Sequence, residues 1–356
     1  MIKAAVIGAS GYTGLELLRI LALHDKVEVC YASSRQFAGA PVSSVFPSLM
    51  GYLDGLFFDE LKGEAEGGVL GSLEGPLGEA DCIFCALPHG ASMAVVPGLI
   101  EAGRKVVDLS ADFRLRDAGT YRAWYAPHRA PELLGSAVYG LPELYRRAVE
   151  GARLIANPGC YPTSAVLALA PAVKEEVVDP STIVIDSKSG VSGAGRSASL
   201  ATSFCEVNEA FGAYKVAVHR HTPEIEAVLS DVAGAAVRVS FTPHLLPLSR
   251  GILTTVTASL TGTHTTVALL ELYRDFYDGE PFVRVRPEGV FPNISWVRGS
   301  NFCDIGLRAD GRTGRVVIVS AIDNLVKGAS GAAVQNMNIL FGFDETEGLR
   351  TAPLQI

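Results

Sequence analysis

The chain has 356 residues, of which 48% are hydrophobic and 19% charged, so it can bury large cores and is long enough for two domains. Its net charge is −8 and it contains no run of lysines or arginines, which argues against nucleic acids and membrane surfaces as partners. No uninterrupted apolar stretch is long enough to span a bilayer, and the six cysteines are scattered. We therefore expect reduced thiols and a cytoplasmic protein.

The chain opens with a strand, a glycine turn, a helix and a second strand. The two apolar strands cover residues 2–7 and 27–32. Glu16 and Arg19 interrupt the apolar face of the helix between them, so we interpret it as amphipathic and not as a signal peptide. The turn reads Gly8-Ala9-Ser10-Gly11-Tyr12-Thr13-Gly14, which in this context predicts a dinucleotide site. A plain tight turn is the alternative interpretation.

The end of the second strand selects between the two nicotinamide cofactors. A carboxylate there would hold the ribose 2′-hydroxyl of NAD, whereas this strand runs into Ser33-Ser34-Arg35. Two hydroxyls and a guanidinium suit a 2′-phosphate, so we expect NADP(H). The alternative is a polar loop in which Arg35 is solvated.

Two further strands, at 81–87 and 105–109, are expected in the same parallel sheet. Such sheets bind their ligand at the carboxyl ends of the strands. The first of these strands leads into Pro88-His89-Gly90, where His89 is either a cofactor-loop residue or an ordinary loop histidine. The second leads into Ser110-Ala111-Asp112-Phe113-Arg114, which we also expect to line the crevice.

Three stretches of this half of the chain carry no assigned chemistry. Cys82 and Cys85 have the spacing of a redox pair, but residues three apart on a strand face opposite ways, so we interpret them as buried strand residues. The glycine- and glutamate-rich stretch 63–78 is predicted to be a mobile loop or hairpin. The aromatic- and proline-rich stretch 121–142 is predicted to be an irregular connection.

A cysteine lies between an apolar strand at 154–156 and an apolar helix from about residue 164, in Asn157-Pro158-Gly159-Cys160-Tyr161-Pro162-Thr163. Pro162 suits the first turn of that helix. Cys160 is then close to exposed backbone N–H groups, which favour a thiolate, and Gly159 permits close approach of a ligand. The pattern is typical of a nucleophilic cysteine that forms an acyl-enzyme, with a buried structural cysteine as the alternative.

After Cys160 the strands and helices follow a different order. We predict strands at 182–187, 237–242, 252–260 and 316–322, with the second and third antiparallel, and helices at 265–277 and 324–340. The small-residue loop from Lys188 to Arg196 can lie flat against a ligand, with one cation at each end.

The segment 214–221 contains two histidines separated by one residue. If it is extended, His219 and His221 point to the same side. Thr222 is a candidate N-cap, with Pro223 at the first helical position. A zinc site would need a further cysteine or histidine nearby, so we expect no metal.

Six motifs together identify a resemblance to a known family. The chain resembles the N-acetyl-gamma-glutamyl-phosphate reductases over essentially its whole length. The resemblance is carried by Gly8–Gly14, Asp108–Arg114, Asn157–Thr163, Ser189–Arg196, His219–Glu226 and Asp323–Gly328. It implies a fold like glyceraldehyde-3-phosphate dehydrogenase: an α/β Rossmann domain plus an α+β domain with a mostly antiparallel sheet. The expected domains are 1–156 for NADP, 157–323 for catalysis and oligomerisation, and 324–356 returning to the first.

The resemblance also implies the reaction and the residues that perform it. The family reduces an acyl phosphate to an aldehyde with NADPH, releasing inorganic phosphate, in arginine biosynthesis. The nucleophile then corresponds to Cys160 and the acid/base histidine to His219, which we prefer to His221. The implied cofactor residues are Gly8, Ser10, Gly11, Tyr12, Thr13, Gly14, Ser33, Ser34, Arg35, Pro88, His89, Ser192, Gly193 and Asn324. The implied substrate residues are Asn157, Lys188, Ser189, Arg196, His221, Glu224 and Arg250. We expect a homo-oligomer, a dimer or a tetramer.

Four other functions compete with this interpretation. Aspartate-semialdehyde dehydrogenase has a similar loop at 192–195, but the stretch 219–224 argues against it. An enzyme acting on a carrier-bound acyl phosphate would need a basic rim, which the net charge weakly disfavours. The pairing of Cys160 with His219 argues against a silent NADP-binding sensor. A cysteine hydrolase would not need the glycine turn.

Overall fold

The computed structural model describes residues 1–61, 73 and 75–355. It divides into two compact units: unit 1 contains residues 1–158 and 329–350, and unit 2 contains residues 159–328 and those from 351 onward. The predicted loop at 63–78 falls mostly outside the described residues, but its last part forms a short helix.

Unit 1 is built on a seven-stranded sheet in which every described strand pair is parallel. Its strands are β1 (Ile2–Ile7), β2 (Val27–Ser33), β3 (Phe58–Asp59), β4 (Cys82–Cys85), β5 (Lys105–Asp108), β6 (Val138–Tyr139) and β7 (Leu154–Ala156). Their spatial order is β3-β2-β1-β4-β5-β7-β6, so the chain reverses direction across the sheet between β1 and β4.

Six helices in the described part of unit 1 lie between consecutive strands of its sheet. They are α1 (Tyr12–Leu21), α2 (Val42–Val45), α3 (Gly75–Glu79), α4 (Ser92–Glu101), α5 (Ala118–Trp124) and α6 (Pro142–Glu150). The stretch predicted to be irregular therefore carries parts of α5 and α6, and β6 between them. Most of the stretch between α5 and α6 is irregular, as predicted, and Pro142 at its end lies in the first turn of α6, where a proline is tolerated.

Cys82 and Cys85 both lie on β4 and are fully buried, as predicted. Burial raises the pKa of both thiols, so both stay protonated at neutral pH.

Unit 2 contains a mixed sheet that is mostly antiparallel, as predicted. Its strands are β8 (Val184–Gly190), β9 (Gly212–Ala213), β10 (Ser240–Leu246), β11 (Ile252–Ser259), β12 (Val283–Val285), β13 (Cys303–Asp310) and β14 (Arg315–Ile322), in the spatial order β12-β13-β14-β11-β8-β10-β9. The strands before and after residues 243–250, β10 and β11, run antiparallel as predicted, but they are not neighbours in the sheet. They lie on opposite sides of β8, with β10 parallel and β11 antiparallel to it.

The helices of unit 2 are α7 (Cys160–Lys174), α8 (Phe204–Val207), α9 (Thr222–Ala233) and α10 (Thr266–Phe276). Every residue of α7 from Tyr161 to Val173 is buried, because α9, α10 and the sheet strands β11 and β14 pack around it. The residue that begins this buried helix is therefore held in a fixed place.

The predicted helix at 324–340 divides into two parts. A π-helical turn covers Val326–Ser330, and α11 (Gly331–Leu340) follows. All residues of α11 are buried, and its polar side chains find partners within unit 1. Asn336 donates to the Gly140 carbonyl at 2.8 Å, and Asn338 Oδ1 lies 2.9 Å from His24 Nε2. Among the described residues, no helix is long and apolar enough to cross a membrane.

A network of buried hydroxyls fastens α7 to the sheet beneath it. Ser164 Oγ lies 2.9 Å from Thr254 Oγ1 and 2.8 Å from Ser320 Oγ, and Thr254 Oγ1 lies 2.8 Å from Ser187 Oγ. All four side chains are fully buried. Since Ser164 is one turn after Cys160, the network holds the start of the helix.

We expect Thr254→Val to lower the free energy of unfolding by about 1–3 kcal/mol, because it leaves buried hydroxyls short of a partner. Urea unfolding followed by circular dichroism would measure the change. Thr257→Val, on the half-buried face of the same strand, is the matched control and should change stability far less. Equal losses in the two variants would contradict this role of the network.

Candidate active site

Cys160 is the first residue of α7, and Gly159 is its N-cap. The Gly159 N–H donates to Glu224 Oε1 at 2.8 Å, and the Gly159 carbonyl accepts from the Thr163 N–H at 2.9 Å. A Cβ on Gly328 would lie 2.8 Å from the Cys160 Cβ, so only a glycine fits there without displacing the cysteine. The half-buried Cys160 is thus placed at a helix N-terminus, where an anion is favoured.

The segment that carries the two histidines is not extended. Residues 215–218 form a turn in which Lys215 and Ala217 have positive φ angles of 46° and 59°. The expectation that both histidines point to the same side held only for an extended segment, so it does not apply here. Instead the His221 N–H donates to His219 Nδ1 at 3.1 Å, and the two rings lie 4.9 Å apart.

His221 is also the N-cap of α9, which begins at Thr222. The predicted cap at Thr222 is wrong by one residue, and its hydroxyl has no hydrogen-bond partner. Pro223 still lies in the first turn, as expected.

His219 is enclosed by aromatic rings. Its ring centroid lies 5.4 Å from those of Tyr161 and Tyr214 and 5.5 Å from that of Phe241. Burial, and then the charges of Lys215 and Arg220, lower the pKa of His219 to about 4. His219 is therefore neutral at pH 7 in the free chain.

The hydrogen bonds of His219 define its tautomer. Because Nδ1 accepts from the His221 N–H, the single proton of the neutral ring lies on Nε2. Nε2 faces the Tyr214 hydroxyl at 3.4 Å. The ring can therefore donate a hydrogen bond from Nε2.

Two tyrosines that the sequence interpretation did not select complete this cluster. The Tyr214 hydroxyl donates to the Tyr161 oxygen at 3.1 Å, and the Tyr161 hydroxyl donates to the His244 carbonyl at 3.2 Å. Burial raises the pKa of Tyr214 to about 12 and also raises that of Tyr161, so both phenols stay protonated at neutral pH. Tyr161 follows Cys160 directly, which was the one signal for it.

The three cations among the candidate substrate residues all belong to unit 2. Lys188 forms an ion pair with Asp186, and Arg250 Nη1 lies 3.4 Å from the buried Asp323 Oδ2. Arg196 is exposed. Lys188 and Arg250 thus have carboxylate partners in the free chain, with which a substrate anion would compete.

Four other candidate residues lie together at the loop that follows β8. The Asn324 amide donates to Ser192 Oγ at 2.9 Å, and its oxygen accepts from the Gly251 N–H at 2.7 Å. A Cβ on Gly193 would lie 3.5 Å from Ser189 Oγ. This places Ser189, Ser192, Gly193 and Asn324 in one cluster of unit 2.

The glycine turn of unit 1 has the shape that a dinucleotide requires. A Cβ on Gly8 would lie 2.5 Å from the Ala86 carbonyl oxygen, and one on Gly14 would lie 2.4 Å from the Ala9 carbonyl oxygen. Gly11, the N-cap of α1, has open space beside it and no side-chain cap. The N–H groups of Tyr12 and Thr13 begin that helix, so the turn fits a pyrophosphate.

The serines at the end of β2 hold the glycine turn. Ser33 Oγ accepts from the Gly8 N–H at 3.1 Å, and Ser34 Oγ donates to Ser10 Oγ at 2.8 Å. Both serines are buried, whereas Arg35 is exposed. Arg35 is therefore the exposed member of this triplet.

Asn157 has structural partners in unit 1. Its amide donates to the Ala329 carbonyl at 3.1 Å, and its Oδ1 accepts from Asn336 Nδ2 at 3.1 Å. Its backbone carbonyl accepts from Arg114 Nε at 2.8 Å. Pro88 and His89 are exposed at the end of β4. Among the described residues, no group of three or more His, Cys, Asp or Glu side chains could hold a metal ion.

Comparisons with known proteins agree with this architecture. Residues 3–152 match the NAD binding domain of semialdehyde dehydrogenases, and residues 160–324 match their dimerisation domain. The fold is similar to aspartate semialdehyde dehydrogenase II from Vibrio cholerae, with a TM-score of 0.72 at 16% identity over 96% of this chain and 98% of that one. It is also similar to aspartate semialdehyde dehydrogenase with NADP from Candida albicans, with a TM-score of 0.70, 16% identity and the same coverages.

These matches define an oxidoreductase of the semialdehyde dehydrogenase class. Closer relatives come from bacteria and share most of their length with this chain. The protein from Citrifermentans bemidjiense is 56% identical over 99% of both chains, and that from Pelotomaculum thermopropionicum is 54% identical over 98% of this chain and 97% of its own. Both are named N-acetyl-gamma-glutamyl-phosphate reductase. The chain belongs to the N-acetyl-gamma-glutamyl-phosphate reductase family.

We expect the low pKa of His219 to make stability depend on pH. An unfolded histidine takes up a proton near pH 6.5, whereas folded His219 does so near pH 4. The free energy of unfolding should therefore fall as the pH is lowered from about 6.5 towards about 4.

Urea unfolding across that pH range would measure this dependence, and His219→Asn should flatten it. His264→Asn removes a partly exposed histidine and should keep the wild-type dependence. A His219→Asn variant with the wild-type pH dependence would contradict the assignment of a low pKa to this residue.

Proposed function

We propose that this chain reduces N-acetyl-gamma-glutamyl phosphate to N-acetylglutamate 5-semialdehyde with NADPH, through a thioester on Cys160, in cytoplasmic arginine biosynthesis. The observation that carries the proposal is Cys160 at the start of the buried helix α7, followed directly by Tyr161, whose ring packs edge-on against that of His219. The 56% identity to named reductases supports the substrate.

Cys160 supplies the nucleophile. Its thiolate attacks the acyl carbon, the carbon–sulfur bond forms, and the bond to the phosphate oxygen breaks, releasing inorganic phosphate and leaving a thioester. The N-terminal N–H groups of α7 favour the thiolate and the oxyanion that forms beside it. Burial keeps the neighbouring Tyr161 and Tyr214 phenols neutral, so they remain hydrogen-bond donors.

NADP(H), when bound, supplies the hydride that reduces the thioester carbon. The residues proposed to hold it are the glycine turn Gly8–Gly14 with Ser33, Ser34 and Arg35, the loop residues Pro88 and His89, and the cluster of Ser192, Gly193 and Asn324. The open space beside Gly11 and the tight packing of Gly8 and Gly14 support the first of these groups.

His219 handles the proton at the reacting oxygen. In the free chain its Nε2–H is a hydrogen-bond donor, which can stabilise an oxyanion. A negative charge that develops beside the ring raises the pKa of the imidazole. Protonation of His219, which is unfavourable in the free chain, therefore becomes easier during the reaction. When the adduct collapses, its oxygen returns the proton to His219, the carbon–sulfur bond breaks, and the aldehyde and the Cys160 thiolate are released.

The charged and polar residues of unit 2 that surround this chemistry are proposed to bind the substrate. Lys188, Arg196 and Arg250 would hold its carboxylate and phosphate, and we expect one of the three to be an ordinary surface cation. Ser189, His221 and Glu224 complete the proposed set in unit 2, and Asn157 of unit 1 is the remaining proposed residue. The match to a dimerisation domain supports a homo-oligomer, which we propose to be a dimer or a tetramer.

Cys160→Ser is the experiment that tests this function. We expect turnover to fall by more than about a thousandfold while NADPH still binds, because a serine hydroxyl is a far weaker nucleophile. Phosphate-dependent NADP⁺ reduction with N-acetylglutamate semialdehyde would measure it, with aspartate semialdehyde as the competing substrate. Cys205→Ser, at an exposed cysteine of the same unit, is the matched control. A Cys160→Ser enzyme within about tenfold of wild type would disprove the thioester.

Arg35→Ala tests the cofactor assignment. We expect the KM for NADPH to rise by about tenfold to a hundredfold and that for NADH to stay nearly unchanged, because only NADPH carries the 2′-phosphate. Steady-state kinetics with both cofactors would show it. Arg350→Ala removes another exposed arginine of unit 1 and should alter neither constant. Equal effects on both cofactors would assign Arg35 to the fold instead.

A further inference from the structure

The motif Ser110-Ala111-Asp112-Phe113-Arg114 carries a buried carboxylate that the reaction does not use. Asp112 is fully buried. Its Oδ1 and Oδ2 accept from the Gly90 N–H at 2.8 and 3.1 Å, and Oδ2 also accepts from the Met93 N–H at 3.1 Å. The Tyr121 hydroxyl donates to Oδ1 at 2.7 Å. One carboxylate thus accepts hydrogen bonds from three donors, which belong to two other segments of the chain.

The backbone donors are those of the loop after β4 and the first turn of α4. The N-cap of α4 is Ala91, which has no side chain able to cap the helix. Asp112 performs that task from a different strand end, because a carboxylate at a helix N-terminus satisfies its free N–H groups and opposes the positive end of its dipole. Gly90 has a φ of 89°, so the turn needs a glycine at this position. The Gly90 N–H finds its acceptor outside the turn, in Asp112.

The neighbouring residue holds the His89 ring. The Ala111 N–H donates to His89 Nδ1 at 3.0 Å, and the ring lies edge-on to Tyr125 with centroids 5.7 Å apart. Tyr125 stacks on Tyr121, whose hydroxyl reaches Asp112. Burial, and then the Asp112 hydrogen bond, raise the pKa of Tyr121, so it remains a neutral donor.

This loop adjoins the glycine turn. The β1 and β4 strands pair directly, and a Cβ on Gly8 would touch the Ala86 carbonyl oxygen at 2.5 Å, at the start of the loop. Both loops therefore leave the same edge of the parallel sheet, at the point where the strand order reverses.

We propose that Asp112 is a positioning residue that holds the loop from Pro88 to Ser92 in the conformation that binds NADP(H). The inference rests on the proposed cofactor site. It assigns to Asp112 no contact with the cofactor; the carboxylate acts through the Gly90 and Met93 amides. Without it the loop adopts many conformations, and binding must order it at a cost in affinity.

The experiment compares the full-length wild-type chain with the Asp112→Asn variant. In this variant a side-chain NH₂ group replaces one carboxylate oxygen and faces groups that are themselves hydrogen-bond donors. We expect the Kd for NADPH, measured by fluorescence titration, to rise about tenfold, while turnover at saturating NADPH changes less than about threefold. Hydrogen–deuterium exchange should quicken over residues 86–93 in the absence of cofactor. The rate of Cys160 alkylation should be unchanged, which a general structural defect would not permit.

Two further variants keep the test decisive. Tyr121→Phe removes one donor to Asp112 and should weaken NADPH binding in the same direction by a smaller factor, so it decides the question if Asp112→Asn does not fold. Asp117→Asn is the control, because its exposed carboxylate caps α5 and asparagine caps equally well. Unchanged NADPH affinity in folded Asp112→Asn, or in Tyr121→Phe where only that variant folds, would overturn the inference. A wild-type chain that binds no NADPH would instead overturn the proposed function.

Discussion

The hydrogen bond from the Gly159 N–H to the Glu224 carboxylate, 2.8 Å long and buried, joins the two parts of the proposed catalytic cluster in unit 2. Gly159 caps the helix that begins at Cys160, and Glu224 lies in the first turn of the helix that follows His219 and His221. A buried carboxylate needs donors, and a helix N-terminus needs acceptors. Because each satisfies the other, this hydrogen bond helps to set the cysteine turn and the histidine turn relative to one another.

The environment of His219 follows from that arrangement. The ring is surrounded by Tyr161, Tyr214 and Phe241, which exclude water and disfavour its charged form. The His221 N–H points at Nδ1 and would oppose a second proton there. A neutral ring with its proton on Nε2 is an oxyanion donor first and a full proton donor only when negative charge develops beside it.

In unit 1, too, buried polar side chains hold separate segments of the chain together. Asp112 caps a helix from another strand end, and Arg114 Nε and Nη2 donate to the carbonyls of Asn157 and Leu109 at 2.8 Å. Asn157 is in turn held by Asn336 of α11. One five-residue motif therefore supports both the loop after β4 and the end of β7, the last strand before Cys160 in the sequence.

Much of this protein is determined by local sequence. The glycine turn at Gly8–Gly14, the apolar strands of unit 1 and the start of a helix near Cys160 follow from patterns within a few residues, because turns, caps and strand periodicity are local effects. The family was identified in this way, and the resemblance in turn implied the mostly antiparallel second sheet.

What required the tertiary structure depends on residues far apart in the chain. The left-handed Lys215 and Ala217 convert an apparently extended segment into a turn, which is unusual for residues that are not glycine. β10 pairs with β8 and not with its neighbour β11, because strand order is set by packing and not by proximity in sequence. Tyr214 and Asp112 acquire their roles only from partners that other segments bring to them, a relation that no local pattern contains.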